Sequence, residues 1–180
     1  LSAVLDPDEK VTPVTYINSA ADLKAFCGEH GGIVCTSSNA PRILEWSFAQ
    51  REKVLFFPDQ HLGRWSGYKM GIPLDEMVIW NPDLEQGGLS REQIAGAKII
   101  LWHGFCSVHQ MFQPKDIIKF RNQHPDGLVI SHPECSFEVC KQSDYIGSTE
   151  TILQTVKAAP PNTRWLVGTE LNLVERLAQE

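Results

Sequence analysis

Short apolar runs alternate with helix-like segments along the chain, and this alternation is what most limits the fold. The clearest run is Ile99–Trp102, four apolar residues with no polar residue between them. Such a run is typical of a parallel strand that is covered on both faces, and Gly104 lets the backbone turn directly after it. Strands separated by helices are joined by right-handed crossovers, so the sequence predicts an α/β fold with parallel sheets.

The individual elements are predicted from apolar runs and from helix start signals. We predict strands at residues 11–17, 33–35, 53–57, 77–80, 99–102, 128–131, 145–146 and 164–167. We predict helices at residues 20–29, 41–50, from after 63 to about 70, 91–97, 114–122, shortly after 135, 152–158 and from after 172 to the end. Ser19, followed three residues later by Asp22, predicts a capped start for the first helix, and Ser90 predicts a capped start for the fourth.

Composition excludes several classes of partner. The chain has 180 residues and a formal net charge of -6 without a basic stripe, so a nucleic-acid partner is not expected and a small molecule is. No apolar run approaches the roughly 20 residues that cross a bilayer. Five cysteines without a framework spacing favour a reducing, cytoplasmic location. Because the sequence starts at Leu1 and stops inside a predicted helix, we expect it to be part of a longer protein.

The polar segments at the strand ends form a repeated pattern. After a linker at residues 1–10, a first unit at 11–108 has strands that end in YINS, TSSN, PDQHLG and WHGFC. A second unit at 109–180 has strands that end in HPEC, GST and GTELN, and then the sequence stops. We therefore expect the second unit to lack its last strand. The carboxyl ends of parallel strands are where open α/β sheets bind ligands.

Each polar segment has a functional and a structural interpretation. TSSN and GST at helix starts predict a phosphate or carboxylate site, although the same residues also cap helices. His132 and Glu134 predict an imidazole and carboxylate pair for proton transfer, or else a surface turn. Zinc could use Cys106 with His103 and His109, although the spacing differs from structural zinc sites. The structural alternative for Cys106 itself is a small packing residue.

The motifs taken together resemble quinolinate synthase, the iron–sulfur enzyme of de novo NAD biosynthesis. The resemblance covers residues 12–180 and rests on the segments YINSAADLKA, CTSSNA, FFPDQHLG, LWHGFCSVHQMF, HPEC, SDYIGSTETI and GTELNLV. It implies three similar α/β/α units around a pseudo-threefold axis, of which this chain has two, and a 4Fe–4S cluster held by one cysteine from each unit. It also implies condensation of iminosuccinate with dihydroxyacetone phosphate to quinolinate, phosphate and water. L-aspartate oxidase, which supplies iminosuccinate, is the implied protein partner.

The resemblance assigns roles to individual residues. Cys106 of GFCSVH matches a cluster ligand, Glu134 is the candidate for proton transfer, and His132 would position or protonate the intermediate. The substrate-binding positions are Tyr16, Asn18, Ser37, His132, Glu134 and Thr149. The other four cysteines have no matching role, and Cys27 and Cys35 are expected to pack in the core. Since the family's first unit and two cluster cysteines have no counterpart in the sequence, we expect these 180 residues alone to be inactive.

Two other functions compete with the enzyme. The first is a non-catalytic α/β module that binds phosphate or carboxylate through TSSN and GST. The second is a regulatory domain that uses the Cys106 thiol or a zinc ion held with His103 and His109. Metal content separates the three, because iron with sulfide supports the enzyme, zinc the regulatory domain, and no metal the binding module.

Overall fold

The computed structural model describes residues 10–179, so the predicted linker lies outside the described residues except for Lys10. The strands are β1 Val11–Tyr16, β2 Ile33–Cys35, β3 Lys53–Phe57, β4 Met77–Trp80, β5 Ile99–Trp102, β6 Leu128–Ser131, β7 Tyr145–Ile146 and β8 Trp165–Gly168. The α-helices are α1 Ala21–Glu29, α2 Ala40–Gln50, α3 Gln60–Lys69, α4 Arg91–Gly96, α5 Pro114–Gln123, α6 Phe137–Gln142, α7 Thr149–Lys157 and α8 Leu171–Gln179. Short 3-10 helices span Leu74–Glu76, Glu85–Gly88 and His109–Met111.

The chain divides into a compact unit that ends at Phe105 and a second that begins at Cys106. The first unit contains a five-stranded sheet in the order β2-β1-β3-β5-β4, and the second a three-stranded sheet in the order β7-β6-β8. Every strand pair in both sheets is parallel. This confirms the predicted α/β class. In each unit the first strand is flanked by the second on one side and the third on the other, which is the topology of a repeat.

Helices cover both faces of the first sheet. Phe56 on β3 packs with Leu44 of α2 and Leu62 of α3. The next residue back along β3, Leu55, points to the opposite face and packs in a cluster with Cys27 of α1. The first unit is therefore a three-layer α/β/α sandwich, as predicted. Two full faces of apolar contact explain why β3 is buried along nearly its whole length.

The second sheet is built in the same way on a smaller scale. Ile130 on β6 packs with Ile152 of α7 and Leu173 of α8. Val129 precedes it, points to the other face and is also buried, and α6 packs against β6 with α5 beside it. The central strand β6 is thus covered on both faces, and its carboxyl end at Ser131 leads directly into HPEC.

Several helix starts differ from the prediction. The capping role predicted for Ser19 is wrong: α1 starts after Ala20 without a side-chain cap, and the Ser19 hydroxyl instead accepts a hydrogen bond from Thr15 Oγ1 at 3.0 Å. The predicted cap at Ser90 is confirmed, because its hydroxyl and the side chain of Gln93 form a reciprocal capping box.

Two helices begin earlier than predicted because a polar residue at the strand end caps them. Asp59 accepts a hydrogen bond from the backbone N–H of Leu62 at 2.8 Å, so α3 begins at Gln60, inside the PDQHLG segment. Ser148 accepts a hydrogen bond from the N–H of Thr151, so α7 begins at Thr149 rather than near residue 152. Both segments are therefore partly helical, and only their first residues lie in the turn.

Cys27 and Cys35 are confirmed as packing residues. Both are almost completely buried in the first unit, and burial raises the pKa of each thiol to about 12. Such thiols stay protonated at neutral pH and are poor metal ligands. As for membranes, the helices of residues 10–179 are all too short or too polar to cross a bilayer.

Candidate functional site

A group of buried titratable side chains lies in the second unit, directly after β6. His132 is 2% exposed and Glu134 is 6% exposed. The backbone N–H of His132 donates to the carbonyl of Gly168 at 2.9 Å and so extends the pairing of β6 with β8 by one bond. Glu134 therefore projects from a turn that is anchored to the sheet edge, and the alternative of a solvated surface turn is wrong for this segment.

A single carboxylate oxygen of Glu134 contacts two imidazole rings. Its Oε2 lies 3.1 Å from Nδ1 of His132 and 3.5 Å from Nδ1 of His109. The two rings are stacked, with centroids 4.5 Å apart and an angle of 16° between their planes. Gln110 fixes the turn from the other side, since its side-chain amide donates to the backbone carbonyl of Glu134 at 3.1 Å. The carboxylate is thus held at the Nδ1 edge of both rings, in a buried environment.

The position of the proton on His132 is linked to Glu134. The backbone N–H of Glu134 lies in hydrogen-bonding geometry to His132 Nδ1 at 3.3 Å, which requires a lone pair on that nitrogen. The contact of 3.1 Å to the carboxylate requires a proton on the same nitrogen. Only one of these hydrogen bonds can exist at a time, so moving the proton between the two ring nitrogens exchanges one for the other.

His109 is a buried imidazole with unsatisfied nitrogens. It is 7% exposed, and neither Nδ1 nor Nε2 has a hydrogen-bond partner among the described residues. Burial, and secondarily the neighbouring His132, lower the pKa of His109 to about 4, while Glu134 and Glu170 act in the opposite direction. The ring is therefore neutral at pH 7. Buried polar atoms are nearly always paired, so unpaired ones indicate a bound ligand, metal ion or water.

Cys106 joins this group through its sulfur. The donor atoms of Cys106, His109 and Glu134 all lie within 4.8 Å of one another, and Cys106 itself is half-buried. Sulfur, imidazole and carboxylate are the donor types that bind transition metals. The zinc hypothesis grouped Cys106 and His109 with His103. In the structure His103 is exposed, and Glu134 is the third member of the group. The alternative of Cys106 as a packing residue does not fit a half-buried loop thiol beside two buried polar side chains.

The GST segment lies at the same edge of the second sheet, because β7 pairs with β6 up to Ser131 and Ile146. Ser148 is buried and caps α7, as the structural interpretation predicted for this motif. Thr149 is the first helical residue and is exposed. Its side chain is therefore accessible to a ligand, while Ser148 caps the helix.

The remaining predicted residues lie at the carboxyl edge of the first sheet. Tyr16 ends β1 and is 5% exposed, and its phenol oxygen lies 3.5 Å from the side-chain amide of Asn18. Tyr16 is paired in register with Cys35, so Ser37, two residues beyond Cys35, lies at this same edge. Thr36 and Asn39 close the turn by mutual hydrogen bonds, and Ser37 is left half-buried between them.

Sequence reasoning underestimated His109. The sequence predicts it only as a zinc ligand, whereas the structure places it close to Cys106 and Glu134 and stacks it on His132. Its position three residues after Cys106 is the signal that could have found it, because a turn closed by the bond from the Gln110 N–H to the Cys106 carbonyl leads there into the 3-10 helix. The partner Glu134 is distant in sequence, and no local pattern predicts that contact.

Comparison with known proteins identifies the family of the chain. The sequence profile of the family described as Quinolinate synthetase A protein matches residues 2–180. The chain is 54% identical to the quinolinate synthase of Rhodopirellula baltica over 181 residues, which is all of this chain and 46% of that protein. It is 52% identical to that of Herpetosiphon aurantiacus and 51% identical to that of Corynebacterium glutamicum, over 96% of this chain and 46% and 44% of those proteins. The chain thus spans about half the length of these curated relatives. With a profile match over almost every residue, the chain belongs to the quinolinate synthetase A family.

Proposed function

We propose that this chain forms part of a quinolinate synthase. The reaction is the condensation of iminosuccinate with dihydroxyacetone phosphate to quinolinate, phosphate and water, with iminosuccinate supplied by L-aspartate oxidase. The observation that carries the proposal is the buried carboxylate of Glu134 in contact with the Nδ1 atoms of the stacked His109 and His132 rings, next to the half-buried thiol of Cys106. A condensation with loss of water needs groups that give and take protons, and this cluster supplies them in a dry site.

Cys106 is proposed as a ligand of the 4Fe–4S cluster. Cys106 is half-buried, whereas the chain's other four cysteines are buried. Both ring nitrogens of the neutral His109 lack a hydrogen-bond partner among residues 10–179, and His109 lies next to that sulfur, which fits a bound group there. When bound, a cluster with one iron open to substrate supplies Lewis-acid chemistry. One cysteine provides one of the thiolates that such a cluster needs.

Glu134 is proposed to transfer protons and His132 to position or protonate the intermediate. These roles are coupled at His132 Nδ1. With a proton, this nitrogen can donate to the Glu134 carboxylate; with a lone pair, it accepts the backbone N–H of Glu134 instead. Tyr16, Asn18, Ser37 and Thr149 are proposed to bind the substrates' carboxylate and phosphate oxygens. They offer hydroxyl and amide donors at the carboxyl edges of the two sheets, and Ser37 and Thr149 stand at helix starts, where anions are favoured.

A chimeric enzyme tests the proposal directly. These 180 residues would replace the corresponding 46% of the Rhodopirellula baltica quinolinate synthase, to which they are 54% identical. We expect the purified, anaerobically reconstituted chimera to bind iron and sulfide and to produce quinolinate from the two substrates. A chimera that unfolds cooperatively, and so is folded, but forms no quinolinate would contradict the proposed function.

The proton-transfer role predicts a specific loss in this chimera. Glu134→Gln keeps the shape of the side chain but removes the ionisable group, so kcat should fall by about 10²- to 10⁴-fold while iron and sulfide content stay unchanged. Glu138→Gln is the matched control, because Glu138 is an exposed residue of the neighbouring helix α6. Equal kcat values for the two variants would refute the role of Glu134.

A second function is favoured by the donor set alone. Cys106, His109 and Glu134 could bind one zinc ion as a regulatory or structural site, because their donor atoms already lie close together. Metal analysis of the chimera after growth in iron- and zinc-containing medium separates the functions. Iron with sulfide supports the synthase, stoichiometric zinc that persists after reconstitution supports the zinc site, and neither metal supports a simple anion-binding module.

A further inference from the structure

Thr169 is a buried hydroxyl without a partner. It is the first residue after β8 and is 3% exposed, and its Oγ1 makes no hydrogen bond to any of residues 10–179. Other buried hydroxyls are satisfied: Thr12 donates to the carbonyl of Ser47 at 3.1 Å, and Ser131 is paired with Ser143 at 2.9 Å. An unpaired buried hydroxyl is costly, so a missing partner is expected at Thr169.

The sheet places Thr169 beside the cluster of the second unit. Ser131 on β6 pairs in register with Gly168 on β8, and the N–H of His132 donates to the carbonyl of Gly168. The next residues along, His132 and Thr169, are therefore neighbours at the carboxyl edge. Neighbouring residues of paired parallel strands carry their side chains on the same face, so the Thr169 hydroxyl belongs on the face where His132 stacks on His109.

The segment after Thr169 is held against the same cluster. Glu170 accepts hydrogen bonds from the N–H groups of Asn172 and Leu173, both at 2.9 Å, and so fixes the start of α8. Its carboxylate is also close enough to His109 to favour the charged form of that ring. The turn that carries Thr169 is thus fixed at both ends, by Gly168 in the sheet and by Glu170 at the helix.

We propose that Thr169 is a further substrate-binding residue, whose hydroxyl donates a hydrogen bond to an anionic oxygen of the molecule bound at Cys106, His109 and Glu134. This inference rests on the proposed function and adds a contact on the β8 side of the site. It explains why a hydroxyl is buried here with no partner of its own, since the substrate's carboxylate supplies the acceptor. It also predicts that ligand binding, and not the fold, depends on this group.

The test uses Thr169→Val and Thr169→Ser in the chimera, with quinolinate as the binding probe. Valine keeps the shape and removes the hydroxyl, so Kd for quinolinate and KM for iminosuccinate should each rise about tenfold, the effect of one lost hydrogen bond to a charged group. Serine keeps the hydroxyl and should restore both constants to within about twofold of wild type. Thr12→Val removes a buried hydroxyl that already has a partner in the first unit, and should leave both constants unchanged.

In the stability of the ligand-free protein, the two valine variants should show the reverse of their effects on binding. Removing an unpaired hydroxyl should leave the urea midpoint of Thr169→Val equal to or above wild type, whereas Thr12→Val should lower it. If the valine variant does not fold, Thr169→Ala reports the same loss of the hydroxyl. An active wild-type chimera in which Kd and KM are unaffected by Thr169→Val would overturn this inference alone. An inactive wild-type chimera would instead overturn the proposed function.

Discussion

Five thiols of one chain differ sharply in accessibility, and this difference has consequences at the level of single residues. Cys27, Cys35, Cys135 and Cys140 are buried, and burial raises the pKa of Cys27 and Cys35 to about 12 and that of Cys135 still further. Cys106 is the half-buried one, on the loop that begins the second unit. Because the thiolate is the form that reacts and binds metal, the fold directs thiol chemistry to Cys106.

Native thiol labelling should therefore distinguish these residues. With iodoacetamide at neutral pH, we expect one rapidly modified cysteine per chain, identified as Cys106 by peptide mass spectrometry, because the others are buried. Unfolding in guanidinium should expose all five. Rapid modification of Cys35 in the folded protein would contradict the packing described for β2, and Cys106→Ala should abolish the fast phase.

At the level of elements, local sequence predicted the strands well and the helix starts less well. The strands Ile99–Trp102 and Met77–Trp80 could be predicted because each is an uninterrupted apolar run, without the polar residues that an amphipathic helix would show. The cap predicted at Ser90 is confirmed, and Gln93 completes it as a capping box, whereas the predicted cap Ser19 instead bonds to Thr15. A serine side chain can form several alternative local hydrogen bonds, and the tertiary packing determines which of them forms.

The contact of α3 with its sheet makes a prediction about glycine. A methyl group added at Gly63 would lie 2.6 Å from both Leu101 Cδ2 and Phe56 Cδ1, whereas one added at Gly28 in α1 would meet nothing within 4 Å. Gly63→Ala should destabilise the protein by about 1–3 kcal/mol through overpacking. Gly28→Ala should stabilise it by up to about 1 kcal/mol, because alanine is the better helix former. Urea unfolding of both variants measures the difference, and equal midpoints would refute the close packing of α3.

At the level of the whole molecule, the repeat was visible in the sequence but the site was visible only in part. The strand orders β2-β1-β3 and β7-β6-β8 show the same arrangement in the two units, and each polar segment follows the strand predicted to carry it. His132 and Glu134 could be predicted because they lie together in sequence. The stacking of His109 on His132 and the unpaired hydroxyl of Thr169 could not, because both depend on contacts between segments that are far apart in the chain.

The number of accessible thiols predicts how this chain behaves when it is isolated. A 4Fe–4S cluster requires several cysteine thiolates, and the 180-residue chain offers Cys106 with four buried cysteines. Anaerobic reconstitution of the isolated chain should therefore yield no stoichiometric cluster, as measured by visible absorbance and by iron and sulfide analysis. The chimera, treated identically, is the positive control, and a stable stoichiometric cluster on the isolated chain would refute this prediction.

The polar segments that end the strands all lie at the carboxyl edges of their sheets, and this leaves the opposite edge of the second sheet without an assigned role. The turn before β8 there contains Asn162, an exposed residue whose φ of 69° also suits glycine. A fluorophore or spin label attached at this turn would be separated from the chemistry by the length of the strand. The architecture thus provides a convenient reporter position at the edge of the second sheet opposite the candidate site.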